Sequence, residues 1–126
     1  MKILVVDDDA MVLESCKRIL EAEGLSVQIV QDTEKALVAM GKEPSFDLIL
    51  TDIKMPGEDG FQLIGRVREN FSKTAILVMT GYLIPETIDK GIQRGADGFI
   101  AKPFTPEELI NSVHKAVSDL NTKDAL

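Results

Sequence analysis

The sequence predicts an α/β fold, a doubly wound parallel sheet of five strands, each followed by a helix. Three observations predict it. Five short runs of strand character, residues 3–6, 26–30, 46–51, 75–79 and 98–101, alternate with five segments in which apolar residues recur at helical spacing. The first, third and fourth runs are apolar nearly throughout, as strands covered by helices on both faces must be. The segments between them are short, and no linker, repeat or low-complexity stretch divides the 126 residues. A chain of this length builds one core, so a single domain over residues 1–126 is expected, with its core at about 2–120 and a frayed polar tail beyond.

Each element has its own justification. Ile3, Leu4, Val5 and Val6 form a first strand that ends in Asp7, Asp8 and Asp9, and Met11, Val12, Ser15, Ile19 and Leu20 mark a helix that Gly24 closes. Residues 26–30 alternate polar and apolar side chains, which suits a half-exposed strand at a sheet edge. Asp32 or Thr33 caps a short helix through Ala36, Leu37 and Met40, closed near Gly41 and stopped before Pro44. The third strand, with Asp47 near its start, delivers Asp52. A turn from Met55 through Pro56, Gly57, Glu58 and Asp59 to Gly60 follows, and Asp59 caps a helix containing Phe61, Leu63, Ile64 and Val67. The fourth strand ends at Thr80-Gly81, and a weaker helix spans 85–94 with Gly91 inside it and Gly95 behind it. The fifth strand delivers Lys102-Pro103. Thr105, Pro106 and Glu108 then supply an N-cap, a first-turn proline and a capping box for a helix whose stripe is Leu109, Ile110, Val113, Ala116, Val117 and Leu120.

Composition narrows the function. The net charge is -7 and no cluster of Lys and Arg stands out, which argues against direct nucleic-acid binding and favours cationic partners, metal ions included. No apolar run approaches the roughly 18–20 residues of a membrane span. The apolar start is too short for a signal peptide, so a cytoplasmic location without membrane contact is expected. Cys16, the single cysteine, excludes an intramolecular disulfide and reads as a small core hydrophobe. His114 is read as a surface or boundary residue, Met79 as core, Met55 as turn packing, and Glu107 and Glu108 as helix-start residues. Tyr82 is either an exposed contact residue or part of a mobile loop.

The chemistry collects at one end of the sheet. In open parallel sheets, ligands bind beyond the carboxyl ends of the strands. The first strand delivers Asp7, Asp8 and Asp9 there, the third Asp52, the fourth Thr80 and the fifth Lys102, with Gln31 and Asp32 arriving from the edge. Gathered carboxylates repel one another unless a cation or proton compensates, and hard oxygen ligands of this kind suit Mg²⁺. A lysine opposite them suits an anion, and a threonine hydroxyl can donate to one of its oxygens. Alone, Asp52 reads as a turn-capping carboxylate and Thr80 as a β-branched strand residue. Together the groups describe a phosphoryl site where a carboxylate attacks a phosphoryl group to give an acyl phosphate.

This set resembles the receiver domain of two-component response regulators over essentially the whole chain. Asp7-Asp8 matches the acidic pair after the first strand, and Asp52 matches the phosphoacceptor before a Met-Pro-Gly-x-Asp-Gly turn, here residues 55–60. Thr80 and Lys102-Pro103 match the Thr and Lys-Pro that end the fourth and fifth strands. The resemblance implies a flavodoxin-like (βα)5 fold with strand order 2-1-3-4-5. It implies a switch, not an enzyme with a turned-over substrate: Asp52 accepts a phosphoryl group from a sensor histidine kinase or histidine phosphotransfer protein. Mg²⁺ is then ligated by Asp8 and Asp52 directly, by Asp7 through water and by the Lys54 backbone carbonyl. Lys102 pairs with the phosphoryl group, and the Lys102-Pro103 bond is cis. Thr80 couples to Phe99, where many receivers carry Tyr, so the coupling works by packing without a hydroxyl. The surface of helix 4, strand 5 and helix 5 passes the signal to a downstream protein or an output domain outside this chain, and homodimerisation on phosphorylation is a further outcome. Asp9 is left open between a helix cap and the acidic residue often found there in the family.

Two readings compete. Asp7-x-Asp9 superficially fits the two-aspartate motif of haloacid-dehalogenase-type phosphatases, but this leaves Asp52 and its turn unexplained. A flavodoxin-like cofactor binder lacks a phosphate-cradling loop after the first strand.

Overall fold

The computed structural model describes residues 1–42, 45–54 and 60–125, with 123–125 described through their backbone. In chain order the elements are β1 (Lys2–Val6), α1 (Ala10–Ala22), β2 (Ser26–Val30), α2 (Thr33–Lys42), β3 (Leu48–Asp52), α3 (Gly60–Asn70), β4 (Ala75–Thr80), α4 (Pro85–Arg94), β5 (Gly98–Ala101) and α5 (Pro106–Ala125). The strands form one parallel sheet in the order β2-β1-β3-β4-β5. This is the expected flavodoxin-like (βα)5 architecture. The jump from β1 to β3 across the sheet centre places the ends of those two strands side by side, with Val6 in register with Thr51.

Alternation along the strands divides the core between two faces. Ile3, Val5, Leu48, Leu50, Leu77 and Met79 face one way and pack with Leu13, Cys16 and Leu20 of α1 and Leu109, Val113 and Ala116 of α5. Leu4, Val6, Ile49, Ile76 and Val78 face the other way and pack with Ala36 and Met40 of α2 and Leu63, Ile64 and Val67 of α3. β3 and β4 are buried throughout, whereas the edge strand β2 alternates between exposed and half-buried residues.

The caps follow local chemistry. The Asp9 carboxylate accepts from Met11 N at 2.9 Å, Asp32 accepts from Lys35 N at 2.8 Å, and Thr105 and Glu108 form the reciprocal box at 3.0 and 3.1 Å. α4 differs: Ile84 at its N-cap makes no side-chain bond, while Gly95 ends it in the left-handed region at φ 112°.

Some boundaries depart from the sequence pattern. β3 starts at Leu48 instead of Phe46 and continues through Asp52. Phe46 is 2% exposed and belongs to the α2–α3 face of the core, so its apolar character signals burial and not strand membership. Gly41 lies within the last turn of α2 instead of closing it, and α5 continues through Ala125. The Pro44 stop, the Met55 packing and the Asp59 cap fall outside the described residues.

A polar clamp at the far end of the sheet has no counterpart in the sequence reading. Arg68 of α3 donates to the Gly95 carbonyl from Nε (3.1 Å) and Nη2 (2.8 Å), to the Ser72 and Thr74 carbonyls, and to the Asp97 carboxylate. Asp97 Oδ2 also accepts from Ile76 N at 2.8 Å. One guanidinium thus joins the end of α3, the end of α4 and the start of β4.

Candidate functional site

The site is built where β1, β3, β4 and β5 end. Lys102 reaches back from β5 across the sheet, and its Nζ donates to Asp7 Oδ2 at 2.7 Å and to Asp52 Oδ2 at 2.8 Å. The Asp7 side chain is 1% exposed, that of Asp52 12% and that of Lys102 22%. The other oxygens are held by local backbone: Asp9 N donates to Asp7 Oδ1 at 2.9 Å, and Lys54 N donates to Asp52 Oδ1 at 3.1 Å. Both carboxylates therefore have fixed orientations, as charge-assisted bonds require.

Burial pushes the Asp7 carboxyl above its ordinary value, more than the bonds from Lys102 and the Asp9 amide pull it down, and the Asp52 charge adds to the rise. For Lys102, burial is the largest single effect and acts downward. The bonds and charges of Asp52 and Asp7 together outweigh it, and the ammonium is held above its ordinary range.

Asp7, Asp8 and Asp52 each bring a carboxylate oxygen within 4.8 Å of the others, with Asp8 exposed to solvent. Against the single Lys102 ammonium, three carboxylates leave a net charge of two minus, which a divalent cation matches. An all-oxygen set with one solvent-facing member fits Mg²⁺, which keeps part of its water shell. Lys54, whose backbone carbonyl is the fourth ligand the resemblance implies, lies two residues beyond Asp52, the last residue of β3. The site turn 55–59 lies outside the described residues. Gly60, which follows it, has a visible reason: a Cβ there would sit 2.5 Å from the Asp52 carbonyl oxygen, so α3 starts pressed against the backbone of β3.

Thr80 is buried beside this cluster, and its hydroxyl oxygen accepts from Tyr82 N at 3.0 Å while its carbonyl accepts from Lys102 N at 2.8 Å. Phe99 is half-buried against the α2–α3 face of the core, opposite Val78 in register. Its ring lies where a Cβ on Gly91 of α4 would stand. The Lys102-Pro103 peptide bond is cis. Gln31, the other residue delivered from the edge, is exposed, and Asp32 is engaged in capping α2.

Asp9 caps α1 and turns its backbone N–H to Asp7. The Asp7 side chain is closed off from solvent and Asp9 is engaged as a cap, so the pair is not arranged as a nucleophile and acid. Cys16 is buried and its thiol is pushed up to about 12, first by burial and then by the Asp7 charge. His114 is exposed.

Tyr82 is 56% exposed, and the Lys54 ammonium lies 3.7 Å from its ring centre. This contact ties the β3–α3 segment to the β4–α4 segment across the mouth of the site. Nothing local in the sequence predicts it. The Gly91–Phe99 approach did leave a signal, a glycine inside a helix.

The comparisons with known proteins agree with this geometry. Residues 3–114 match the profile of the response regulator receiver domain, and the chain belongs to that family. It is 36% identical over 109 residues to the transcriptional regulatory protein ResD of Bacillus subtilis, covering 86% of this chain and 45% of that protein. It is 31% identical over 117 residues to the cell cycle response regulator CtrA of Brucella ovis, covering 93% of this chain and 50% of that one. Among solved structures, the chemotaxis protein CheY4 of Vibrio cholerae superposes with a TM-score of 0.88 at 32% identity, covering 91% of this chain and 97% of that one. The chain spans half or less of the length of the curated relatives it matches. Receiver domains act in two-component signalling as phosphoacceptors and are not enzymes of the ordinary kind. Their partners are histidine kinases or phosphotransfer proteins, and they bind Mg²⁺ through an acidic cluster, which is Asp7, Asp8 and Asp52 here. Among the described residues, no helix is long and apolar enough to cross a membrane.

Proposed function

We propose that Asp52 accepts a phosphoryl group from a phosphohistidine of a sensor kinase or phosphotransfer protein, and that the whole of residues 1–126 serves as the receiver for that reaction. The supporting observation is the Lys102 ammonium, shared between Asp52 and the buried Asp7 within a cluster suited to a divalent cation. A carboxylate oxygen of Asp52 bonds to phosphorus as the phosphorus–nitrogen bond breaks, and the imidazole leaves with the electron pair. Asp8, Asp52, the Lys54 carbonyl and, through water, Asp7 would hold Mg²⁺, which would supply positive charge against the transferring oxygens.

The chain's own groups do the rest. Lys54 N–H orients Asp52, and Lys102 moves from pairing a carboxylate to pairing the phosphoryl group. The Thr80 oxygen accepts from Tyr82 N–H, which leaves its own proton to donate to a phosphoryl oxygen. Turning Thr80 inward vacates space that the Phe99 ring fills. That ring lies under α4, so the change reaches the surface of α4, β5 and α5 as a population shift. That surface then contacts a downstream protein or an output domain, or pairs two phosphorylated copies, in the cytoplasm.

Incubation with acetyl phosphate and Mg²⁺, read by intact mass, tests this. The expected result is one added phosphoryl group, lost with chelator and in Asp52→Asn. Incorporation that persists in Asp52→Ala sinks the assignment.

A further inference from the structure

The β2 edge lacks two of the devices that keep sheet edges apart. Its residues, Ser26 to Val30, include no charge and no proline. Ser26 N donates to the Met1 carbonyl and the Val30 carbonyl accepts from Asp7 N, so the backbone groups of residues 26, 28 and 30 face β1. By alternation, the N–H and C=O groups of Val27 and Ile29 point out to the open edge.

α2 flanks this edge with a matching pattern. Gln28, Val30, Glu34, Val38 and Lys42 line one groove of about 490 Å³. Val38 is 52% exposed although apolar, and Glu34 and Lys42 are exposed on either side of it. Each lies four residues from Val38, about 6 Å along the helix axis in opposite directions.

We infer that β2 is a self-association edge, through which two copies of this chain pair antiparallel about a two-fold axis beside Gln28. The axis sets Val27 opposite Ile29 of the second copy in two equivalent hydrogen-bonded pairs, which satisfies all four outward groups of each strand. It sets Gln28 against Gln28 of the second copy and joins the two sheets into one. Gln28 and Val38 line the same groove, so the same axis runs close to Val38 and makes the two α2 helices antiparallel. Glu34 of each copy then faces Lys42 of the other, twice, with the two Val38 side chains covered between them. Glu34 and Lys42 are self-complementary under this operator and under no parallel one, while Lys35, on the same groove, faces Asp32 of its own copy at 4.0 Å. Lys2 and Lys17 also border the edge; the Lys2 ammonium lies 5.5 Å from the centre of the Phe46 ring, and Lys17 has Glu14 and Glu21 at i−3 and i+4 on its own helix. The edge lies apart from the Asp52 site, and the pairing stands whether or not Asp52 is a phosphoacceptor.

Sedimentation equilibrium of the unphosphorylated full chain tests it. The expected result is a monomer–dimer equilibrium that weakens with added salt. Gln28→Lys sets two ammonium groups at the axis and leaves a monomer. Glu34→Lys weakens association about tenfold or more, and Glu34→Lys with Lys42→Glu restores it. All three positions are exposed, and far-UV circular dichroism confirms that each variant is folded. A wild-type chain that stays monomeric at millimolar concentration overturns the inference, as does a dimer indifferent to Glu34→Lys or a double reversal as weak as the single change.

Discussion

The Phe99 ring fills the space that a Cβ on Gly91 would occupy, with Cζ 2.6 Å and Cε1 2.7 Å from that point. A glycine inside a helix normally costs up to about 1 kcal/mol relative to alanine. Here alanine would drive into an aromatic ring, and overpacking of this kind costs about 1–3 kcal/mol. Gly91→Ala is therefore expected to destabilise the chain in urea unfolding, and in a Phe99→Leu background the penalty should shrink or reverse. An equal penalty in both backgrounds would show that the ring is not what the glycine serves.

Removing Lys102 leaves two poorly hydrated carboxylates facing each other. Lys102→Ala is expected to lose about 3 kcal/mol at neutral pH, with part of the loss recovered by Mg²⁺ and part by acid. The Lys102 pKa is raised, so the stability from its ion pairs is present below its ordinary value and lost as pH rises through the higher folded value. The Asp7 pKa is also raised, so the folded chain binds this proton more tightly than the unfolded one, and acidification through that window favours folding at this residue. Melting temperatures across pH, with and without Mg²⁺, would reveal a flat deficit if the carboxylates are not the cause.

Thr33 is 4% exposed, and among the described residues its hydroxyl is a buried side-chain oxygen without a hydrogen-bond partner. Such a group costs about 1–3 kcal/mol. Thr33→Val keeps the shape and removes the unpaired hydroxyl, so a gain in stability on that scale or somewhat below it is expected. A loss in thermal unfolding would mean that the hydroxyl is satisfied in solution.

Cys16 ionises near its ordinary value of 9.0 in the unfolded chain but only at about 12 when folded. Between those values the unfolded state gives up a proton that the folded state keeps, so this residue makes stability fall as pH rises. Cys16→Ala should flatten the alkaline limb of the stability curve. In the native wild type, labelling by a thiol reagent should be no faster than opening of the α1–β1 packing; rapid labelling of the folded chain would contradict the burial.

The parts legible in the sequence are those whose signal is local. Apolar runs placed β1 and β4, Thr105 with Glu108 announced the start of α5, and the residue at each strand end located the carboxylates, Thr80 and Lys102. What escaped depends on meetings that spacing does not encode. Arg68 and Asp97 are separated by 29 positions and meet only because α3 and the β5 approach converge at one sheet end. Lys54 finds Tyr82 through two loops on neighbouring strands. Phe46 misled because an apolar residue adjoining a strand is buried in the same core whether or not it joins the ladder. The reach of Lys102 to both Asp7 and Asp52 lies between the two cases: the residues were named, and the bridging geometry was not.

The Arg68 clamp gives α4 a fulcrum. Five donor contacts from one guanidinium pin the carbonyl of Gly95 and its surroundings, while the other end begins at Ile84 with no side-chain cap and 49% exposure. A push delivered at the middle, where Phe99 meets Gly91, is therefore not shared evenly along the helix. Under the proposed switch, the uncapped end would swing through the larger arc, so a small ring movement in the core would be amplified into displacement of Leu83 and Ile84 at the surface.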